Sequence, residues 1–297
     1  MKNINKWRAF SLIKKYRGPL GVTIIALSFA FLVWYCYTHP QIIKSVLSTS
    51  PLVLLSLLGL YCAMVAVIFF VNYFTVRICG KDLGVKQGIL LTIYSTVINF
   101  FGPLQSGPGV RAVYLKTKIG LRIRDYTLAT LFYYLAFGAI NASILFISSW
   151  WILTILGFVA SIILIAFGTH YLHFSNRRRW IFAIYIVALV QVLLTVIIYY
   201  IELHTTGTNV NWVQTLVYSA SANLSLFVSL TPGGIGIREA FIVFTTSLHH
   251  IPLKSIVAAG VLDRAFYVVF LVLLFIVSSA LHVKDAITLK KGRKEVS

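Results

Sequence analysis

Five ionisable residues lie within or close to strongly apolar parts of the sequence. They are Arg111, Arg238, Glu239, Asp263 and Arg264. A charge at membrane depth costs about 2.5–3.5 kcal/mol on insertion scales, and such residues usually mark a pathway or a binding site. These five residues are therefore the first candidates for function.

Arg111 and Arg238 each follow a Gly-x-Gly turn at the start of a short predicted helix. The glycines of these turns are Gly107 and Gly109, and Gly234 and Gly236. Glycine lets a backbone approach a ligand closely, and a helix N-terminus offers free N–H groups to an anion. Because a guanidinium adds a planar donor fork suited to phosphate, two such tips could converge on one anionic headgroup. The alternative is that glycine and proline only break the chain here, and that Arg111 belongs to a cytoplasmic basic cluster.

The composition indicates a bilayer as the natural solvent. Hydrophobic residues make up 59% of the chain and charged residues 11%, whereas a soluble domain has about 25% charged residues. The net charge is +19, and the basic residues lie between apolar runs with little aromatic interleaving. This pattern favours anionic lipid headgroups as partners and argues against nucleic acid.

Six apolar runs are long enough to cross a hydrocarbon core of about 30 Å. They cover residues 18–38, 51–75, 126–148, 150–172, 180–203 and 255–282. Two further stretches stop at Gly-Pro or Pro-Gly-Gly sequences and return toward polar residues, which indicates re-entrant hairpins at about 87–115 and 212–250. We therefore predict an all-α polytopic integral membrane protein with six spanning helices and two re-entrant hairpins.

The distribution of Lys and Arg indicates the orientation. With the N-terminus inside, the segments on that side hold 22 of the 26 basic residues. These segments are residues 2–17, 77–88, 111–124, 173–179 and 284–297. The positive-inside rule then places both termini in the cytoplasm, and we expect a multi-pass protein of the cytoplasmic (inner) membrane.

The two Gly-x-Gly-x-Arg motifs end in Arg111 and Arg238, and the interval between these arginines recurs elsewhere in the sequence. The same interval carries the run 51–75 onto 180–203, and three more residues carry 126–148 onto 255–282. Each half then consists of two spans, a hairpin and one span, which divides the chain into residues 1–148 and 149–297. Because three spans per half is an odd number, the halves must be inverted relative to each other, a recurring transporter plan.

The remaining charges make the two halves chemically different. Glu239 and Arg264 could pair across the second hairpin, with Asp263 competing for the same partners. Such a pair either fixes helix packing or takes part in gating or proton coupling. The first half has Tyr133 and Tyr134 where the second has Asp263 and Arg264, so any site would depend mostly on the second half.

Motifs of catalysis and metal binding are absent from the sequence. There are only seven Asp and Glu residues, and the three cysteines form no Cys-x-x-Cys pair. No P-loop, Gly-x-Ser-x-Gly or His-Glu-x-x-His motif occurs. We therefore expect no catalytic residues, no cofactor and no metal site.

The run from Thr231 to Glu239, Thr-Pro-Gly-Gly-Ile-Gly-Ile-Arg-Glu, resembles the flippase-like transmembrane region of lysylphosphatidylglycerol synthases, as does Ala259-Gly-Val-Leu-Asp-Arg264. That family includes stand-alone YbhN-like proteins, and because the sequence ends soon after its last apolar run we expect no aminoacyl-transferase domain. The resemblance implies movement of a lipid, or of a lipid-linked headgroup, between leaflets. It also implies that Arg264 lies on the last span and that six residues form the second hairpin tip. These six are Pro232, Gly233, Gly234, Gly236, Arg238 and Glu239.

Three functional hypotheses follow. The first is a flippase-like translocator of an anionic phospholipid or a polyprenyl-linked lipid. The second is a non-catalytic accessory subunit of an envelope-lipid or lipid-linked glycan pathway, with an envelope-lipid enzyme as its partner. The third is an integral-membrane enzyme acting on a lipid phosphate, whose turnover would depend on Glu239 or Asp263.

Overall fold

The computed structural model of the 297-residue chain describes residue 37 and residues 48–101, 106–147, 150–171, 178–228 and 237–294, with residues 278–294 as backbone alone. The chain divides into two units, residues 1–48 and 49–297, and the fold described below is that of the second. Two predictions lie outside the described residues. They are the first span, 18–38 apart from residue 37, and the hairpin-tip residues Pro232, Gly233, Gly234 and Gly236.

Regular structure in the described ranges is helical. The helices are α1 (Pro51–Ile78), α2 (Val85–Phe101), α3 (Gly107–Ile119), α4 (Ile123–Leu145), α5 (Trp151–Tyr171), α6 (Arg178–Thr205), α7 (Trp212–Ser225), α8 (Ile237–Phe244), α9 (Thr246–His249) and α10 (Leu253–Lys294). A short 3₁₀ turn, Leu226–Val228, follows α7.

Local sequence signals set several helix ends. Pro51 lies in the first turn of α1, where its missing N–H has no partner to lose. Helix α3 ends at Gly120, whose φ of 66° is in the left-handed region that favours glycine. Helix α7 begins with a capping box, in which the backbone N–H of Gln214 donates to the Asn211 side chain (2.8 Å) and the backbone N–H of Asn211 donates to the Gln214 side chain (3.0 Å).

Four helices are long and apolar enough to cross a membrane: α1, α4, α6 and the Leu253–Val277 part of α10. They coincide with four of the six predicted spans. Helix α5 coincides with a fifth, although only its shorter part, Trp151–Ile163, is counted as apolar among the described residues. Most of the large apolar side chains of Trp151–Ile163 are exposed, as on a lipid-facing surface. The chain is thus a helical membrane protein, and the count of six spans stays a prediction.

Several helix bounds of the second half lie a fixed number of residues after their counterparts in the first half, and that number is the interval between Arg111 and Arg238. Both ends of α6 follow the corresponding ends of α1 by that interval. The beginning of α7 follows the beginning of α2 by the same interval. The beginning of α10 follows that of α4 by the interval plus the three extra residues expected before the last span. The helices therefore follow one another with the same spacing in both halves.

The equivalent helices α1 and α6 pack against each other in opposite directions. Phe74, near the end of α1, stacks on Trp180, near the beginning of α6, with ring centroids 5.6 Å apart. The hydroxyl oxygen of Tyr61, in the first half of α1, lies 3.0 Å from Oε1 of Glu202, near the end of α6. Antiparallel packing of equivalent helices is the arrangement that an inverted repeat requires.

Two helix pairs lie where the sequence predicts the hairpins. In the first pair, α2 and α3, the backbone N–H of Gly107 donates to Asn99 Oδ1 (3.1 Å). In the second pair, α7 and α8, Tyr218 and Ala222 share a buried apolar cluster with Ile242. Each pair packs together as a hairpin would, while entry and exit on one side of a membrane stays a prediction.

Candidate functional site

A cavity of about 280 Å³ lies between the long helices and the two helix pairs. Arg111, Arg238, Asp263 and Arg264 all line it, and Glu239 contacts Arg264 beside it. The structure therefore brings together the five charged residues that the sequence singles out. It also places the arginines of the two predicted hairpins on one cavity.

Arg238 is held between α6 and α10. Its Nη1 lies 2.5 Å from Asp263 Oδ2, and both side chains are only 11% exposed. Its Nη2 donates to the Tyr199 hydroxyl (2.7 Å), and the guanidinium carbon lies 5.2 Å from the centroid of the Tyr199 ring. A carboxylate and a hydroxyl together compensate a charge that would otherwise be costly at this depth.

The Glu239–Arg264 pair forms as the sequence suggests. Arg264 donates from Nε (3.0 Å) and from Nη2 (2.6 Å) to Glu239 Oε1. Asp263 does not compete for Arg264, because it pairs with Arg238 instead. Two consecutive residues of α8, Arg238 and Glu239, thus face two consecutive residues of α10 with opposite charges, and both contacts tie α8 to α10.

Arg111 differs from Arg238 in the charge of its partners. Its Nη1 donates to Asn72 Oδ1 (2.6 Å) and its Nε to the carbonyl of Gly107 (3.4 Å). The amide of Asn72 is oriented by a 2.9 Å hydrogen bond to Thr92. In the part of the chain that the structure describes, no carboxylate lies within ion-pair distance of Arg111. Arg111 is therefore a cavity-lining cation with neutral protein partners.

The two arginine contacts occupy equivalent positions in the two halves. Arg111 and Asn72 are 39 residues apart, and Arg238 and Tyr199 are also 39 residues apart. Asp263, the ion-pair partner of Arg238, contacts Tyr61 of α1. The eleven residues from Tyr61 to Asn72 correspond to about 16 Å along the axis of α1. The two arginine sites are thus connected to α1 at two different levels of that helix.

The tyrosines of the first half make that end of the cavity neutral. Tyr133 and Tyr134 both line the cavity, and the Tyr133 hydroxyl donates to Gln191 Oε1 (2.7 Å). These tyrosines stand where Asp263 and Arg264 stand in the second half. The ion pairs of the site are therefore concentrated at the second-half end.

The turn glycines of the first hairpin have different surroundings. A Cβ on Gly107 would lie 2.8 Å from Asn99 Cβ and 2.9 Å from the carbonyl oxygen of Ser95, whereas nothing lies within 4 Å of a Cβ on Gly109. The close approach that Gly107 permits is thus between α3 and α2. A role of Gly107 and Gly109 in binding a substrate stays a prediction.

Asn99 and Asn223 form the helix–helix and hairpin contacts expected of polar residues in a membrane. Asn99 accepts from the backbone of Gly107. Asn223 donates to Asn141 Oδ1 (2.9 Å) and to Thr195 Oγ1 (3.0 Å), which connects α7 to α4 and α6. These contacts position the two hairpins against the long helices.

Sequence reasoning missed several residues of the site: Tyr61, Asn72, Gln191, Tyr199 and Glu202. Asn72 and Tyr199 could have been found, because they are separated by the repeat interval and each precedes a candidate arginine by the same distance in sequence. Glu202 could also have been found, since it is an acidic residue in an apolar run. Among the described residues, His, Cys, Asp and Glu form no group of three or more that could hold a metal ion.

Residues 171–274 match a family model described as the lysylphosphatidylglycerol synthase TM region. Comparison with curated protein sequences gave no match. The matched segment runs from the end of α5 to the middle of α10, and it contains Tyr199, Arg238, Glu239, Asp263 and Arg264. Its helices α6, α7, α8 and α10 are the second of the two equivalent sets. Over this segment the chain is similar to the lysylphosphatidylglycerol synthase TM region, in agreement with the resemblance carried by residues 231–239 and 259–264.

Proposed function

We propose that the protein is a lipid translocator that moves an anionic or lipid-linked headgroup between the leaflets of the cytoplasmic membrane. The observation that carries the proposal is the pair of equivalent arginines, Arg111 and Arg238, on one cavity. The α1 residues to which they are connected, Asn72 directly and Tyr61 through Asp263, lie about 16 Å apart along the helix axis. That separation is about half of a 30 Å hydrocarbon core. A phosphate that exchanged one arginine for the other would cover much of the path between leaflets.

The chemistry of the two arginines supports an anionic headgroup. A guanidinium has five N–H donors, more than the protein contacts described above use, so donors remain for a phosphate oxygen. Arg111 has only neutral partners among those contacts, and a headgroup phosphate would compensate its charge. Arg238 is already compensated by Asp263, so a headgroup there would share the guanidinium with that carboxylate. The first-half end is therefore the stronger anion site in the conformation described.

The size of the cavity supports entry of the headgroup alone. At about 280 Å³ it is close to the lower limit of ordinary ligand pockets, about 300 Å³. Two acyl chains would not fit, so they would stay in the bilayer against the exposed apolar side chains while the headgroup crosses. The family match adds a lipid-related setting.

An inverted repeat with re-entrant hairpins is part of the proposal. The recurring helix bounds and the antiparallel packing of α1 against α6 support it. In such a plan the two halves offer the same site to opposite sides of the membrane. Arg111 would then receive a headgroup from one leaflet and Arg238 from the other.

Reconstitution into liposomes tests the proposal. Fluorescent phosphatidylglycerol, lysyl-phosphatidylglycerol and a polyprenyl phosphate are each placed in both leaflets, and a membrane-impermeant quencher measures exchange. We expect exchange that exceeds both protein-free liposomes and a phosphatidylcholine control. Absence of exchange for all three lipids would contradict the translocator and would favour an accessory subunit of an envelope-lipid enzyme, to be sought by co-purification.

A further inference from the structure

Glu202 is a fully buried carboxyl group that contacts Tyr61, a residue of the cavity lining. Its exposed fraction is 0%, and it lies within one turn of the end of α6. Its Oε1 lies 3.0 Å from the Tyr61 hydroxyl. Its Oε2 is buried with no hydrogen-bond partner among the described residues. A buried carboxylate with an unpaired oxygen is costly, so the protonation state of Glu202 needs an explanation.

One tyrosine hydroxyl lies between two carboxyl groups. Tyr61 Oη is 3.0 Å from Glu202 Oε1 and 3.2 Å from Asp263 Oδ1. A phenol has one hydrogen and can donate to only one of these oxygens at a time. The other short O···O contact is satisfied only if that carboxyl group carries a proton and donates it to the tyrosine oxygen. Both contacts are full hydrogen bonds when the two acids together hold one proton.

That proton belongs to Glu202 rather than to Asp263. The second oxygen of Asp263 is 2.5 Å from Arg238 Nη1, which stabilises the ionised form of Asp263. Glu202 has no ion pair among the described residues. The consistent network is then Glu202 O–H donating to Tyr61 Oη, and Tyr61 O–H donating to Asp263 Oδ1.

Among the described residues, the ionisable groups around Glu202 include no cation besides Arg238. The groups that face it are Tyr61 on α1, Tyr199 on α6, Tyr218 on α7, Arg238 on α8 and Asp263 on α10. The tyrosines are neutral, and the positive charge of Arg238 is matched by the negative charge of Asp263. An ionised Glu202 would leave one uncompensated negative charge in this buried set.

We propose that Glu202 is a proton-binding site whose proton binds and leaves together with the anionic headgroup. The proposal rests on the translocator function proposed above. With Glu202 protonated, the pairs Arg238–Asp263 and Glu239–Arg264 are compensated, and Arg111 has no carboxylate partner among the described residues, so it can take one anionic charge. An anion in the cavity favours a neutral Glu202, and a neutral Glu202 favours the anion, because such coupling is reciprocal. The bound headgroup and proton cross together, so a pH difference drives lipid movement.

Infrared spectroscopy tests the proton itself, without any transport. Wild-type protein at neutral pH should show the C=O stretch of a protonated carboxyl group, and Glu202→Gln should lose it. The amide of glutamine can donate to Tyr61 as the acid does, so this variant should fold. Asp82→Asn is the control, because Asp82 is exposed and pairs with Arg77, and this variant should retain the band. A wild-type spectrum without the band would overturn the proposal.

A pH gradient across liposomes tests the coupling. One proton for each headgroup predicts an equilibrium leaflet ratio that changes about tenfold for each pH unit. Glu202→Gln should exchange lipid with a ratio independent of the gradient. Wild-type exchange that ignores the gradient would overturn the coupling while leaving the translocator intact. If wild type exchanges no lipid at any pH, the translocator fails, and the infrared band alone decides whether Glu202 holds a proton.

Discussion

The buried pair Arg238–Asp263 should be strongly coupled in stability, and the exposed pair Arg77–Asp82 should not. The side chains of the first pair are 11% exposed, whereas those of the second are 34% and 76% exposed. Removing one partner of a buried pair costs about 3–5 kcal/mol because the other charge is left uncompensated. Exposed pairs contribute about 0–1 kcal/mol. The two pairs therefore form a matched comparison within one chain.

A double-mutant cycle gives the magnitude. Arg238→Gln and Asp263→Asn should each lower the free energy of unfolding by about 3–5 kcal/mol. The double variant has no uncompensated charge in this pair, so its loss should be at least about 2 kcal/mol smaller than the sum of the single losses. The same cycle on Arg77→Gln and Asp82→Asn should give a coupling energy below about 1 kcal/mol.

Reversible unfolding by sodium dodecyl sulfate in mixed micelles measures these free energies. Tryptophan fluorescence reports the transition, since the chain has six tryptophans. Equal coupling energies in the two cycles would contradict strong coupling of the buried pair. So would a double variant at Arg238 and Asp263 that is destabilised by the full sum of the single effects.

Two further predictions use the same unfolding assay. Gly107→Ala should lower stability by about 1–3 kcal/mol because its Cβ would meet Asn99 at 2.8 Å. Gly109→Ala should be neutral or stabilising by up to about 1 kcal/mol, because open space surrounds the position and alanine favours helix. Equal unfolding midpoints for the two variants would contradict this difference. Asn223→Ala should lower stability by about 1–3 kcal/mol because Asn141 loses a buried partner, and an unchanged midpoint would show that the contact is dispensable.

The spanning helices were largely predictable from the sequence. Runs of about 20 apolar residues have few structural alternatives in a chain of this composition. The runs 51–75 and 180–203 lie inside α1 and α6, which extend to Pro51–Ile78 and Arg178–Thr205. Helix α4 begins at Ile123, before the predicted start at 126. The prediction started late because the first turn of the helix carries charged residues, which hydropathy excludes from a membrane span. Helix ends depend on capping and local charge rather than on apolar content.

The charges of the site were predictable from residue type, whereas their neutral partners were not. Arg238 and Asp263 stand out because charge is rare in an apolar chain. Asn72 and Tyr199 do not stand out by residue type, since one amide or one of sixteen tyrosines is ordinary, and only the repeat interval connects each of them to an arginine. Glu202 is recognisable as an acidic residue in an apolar run, but it lies near the end of that run, where a carboxylate could face water, so the sequence alone does not show that it is buried.

The most direct test of the central claim is lipid exchange by Arg111→Gln in liposomes. Arg111 has a neutral partner in Asn72, so this variant leaves no uncompensated carboxylate in the described structure and should keep its fold. A hydrogen bond to a charged group contributes about 1.5–3 kcal/mol, which predicts a roughly 10- to 150-fold slower exchange of an anionic lipid. Arg77→Gln, a change outside the cavity lining, should exchange at the wild-type rate. Wild-type exchange by Arg111→Gln would contradict the claim that a headgroup passes between the two arginines.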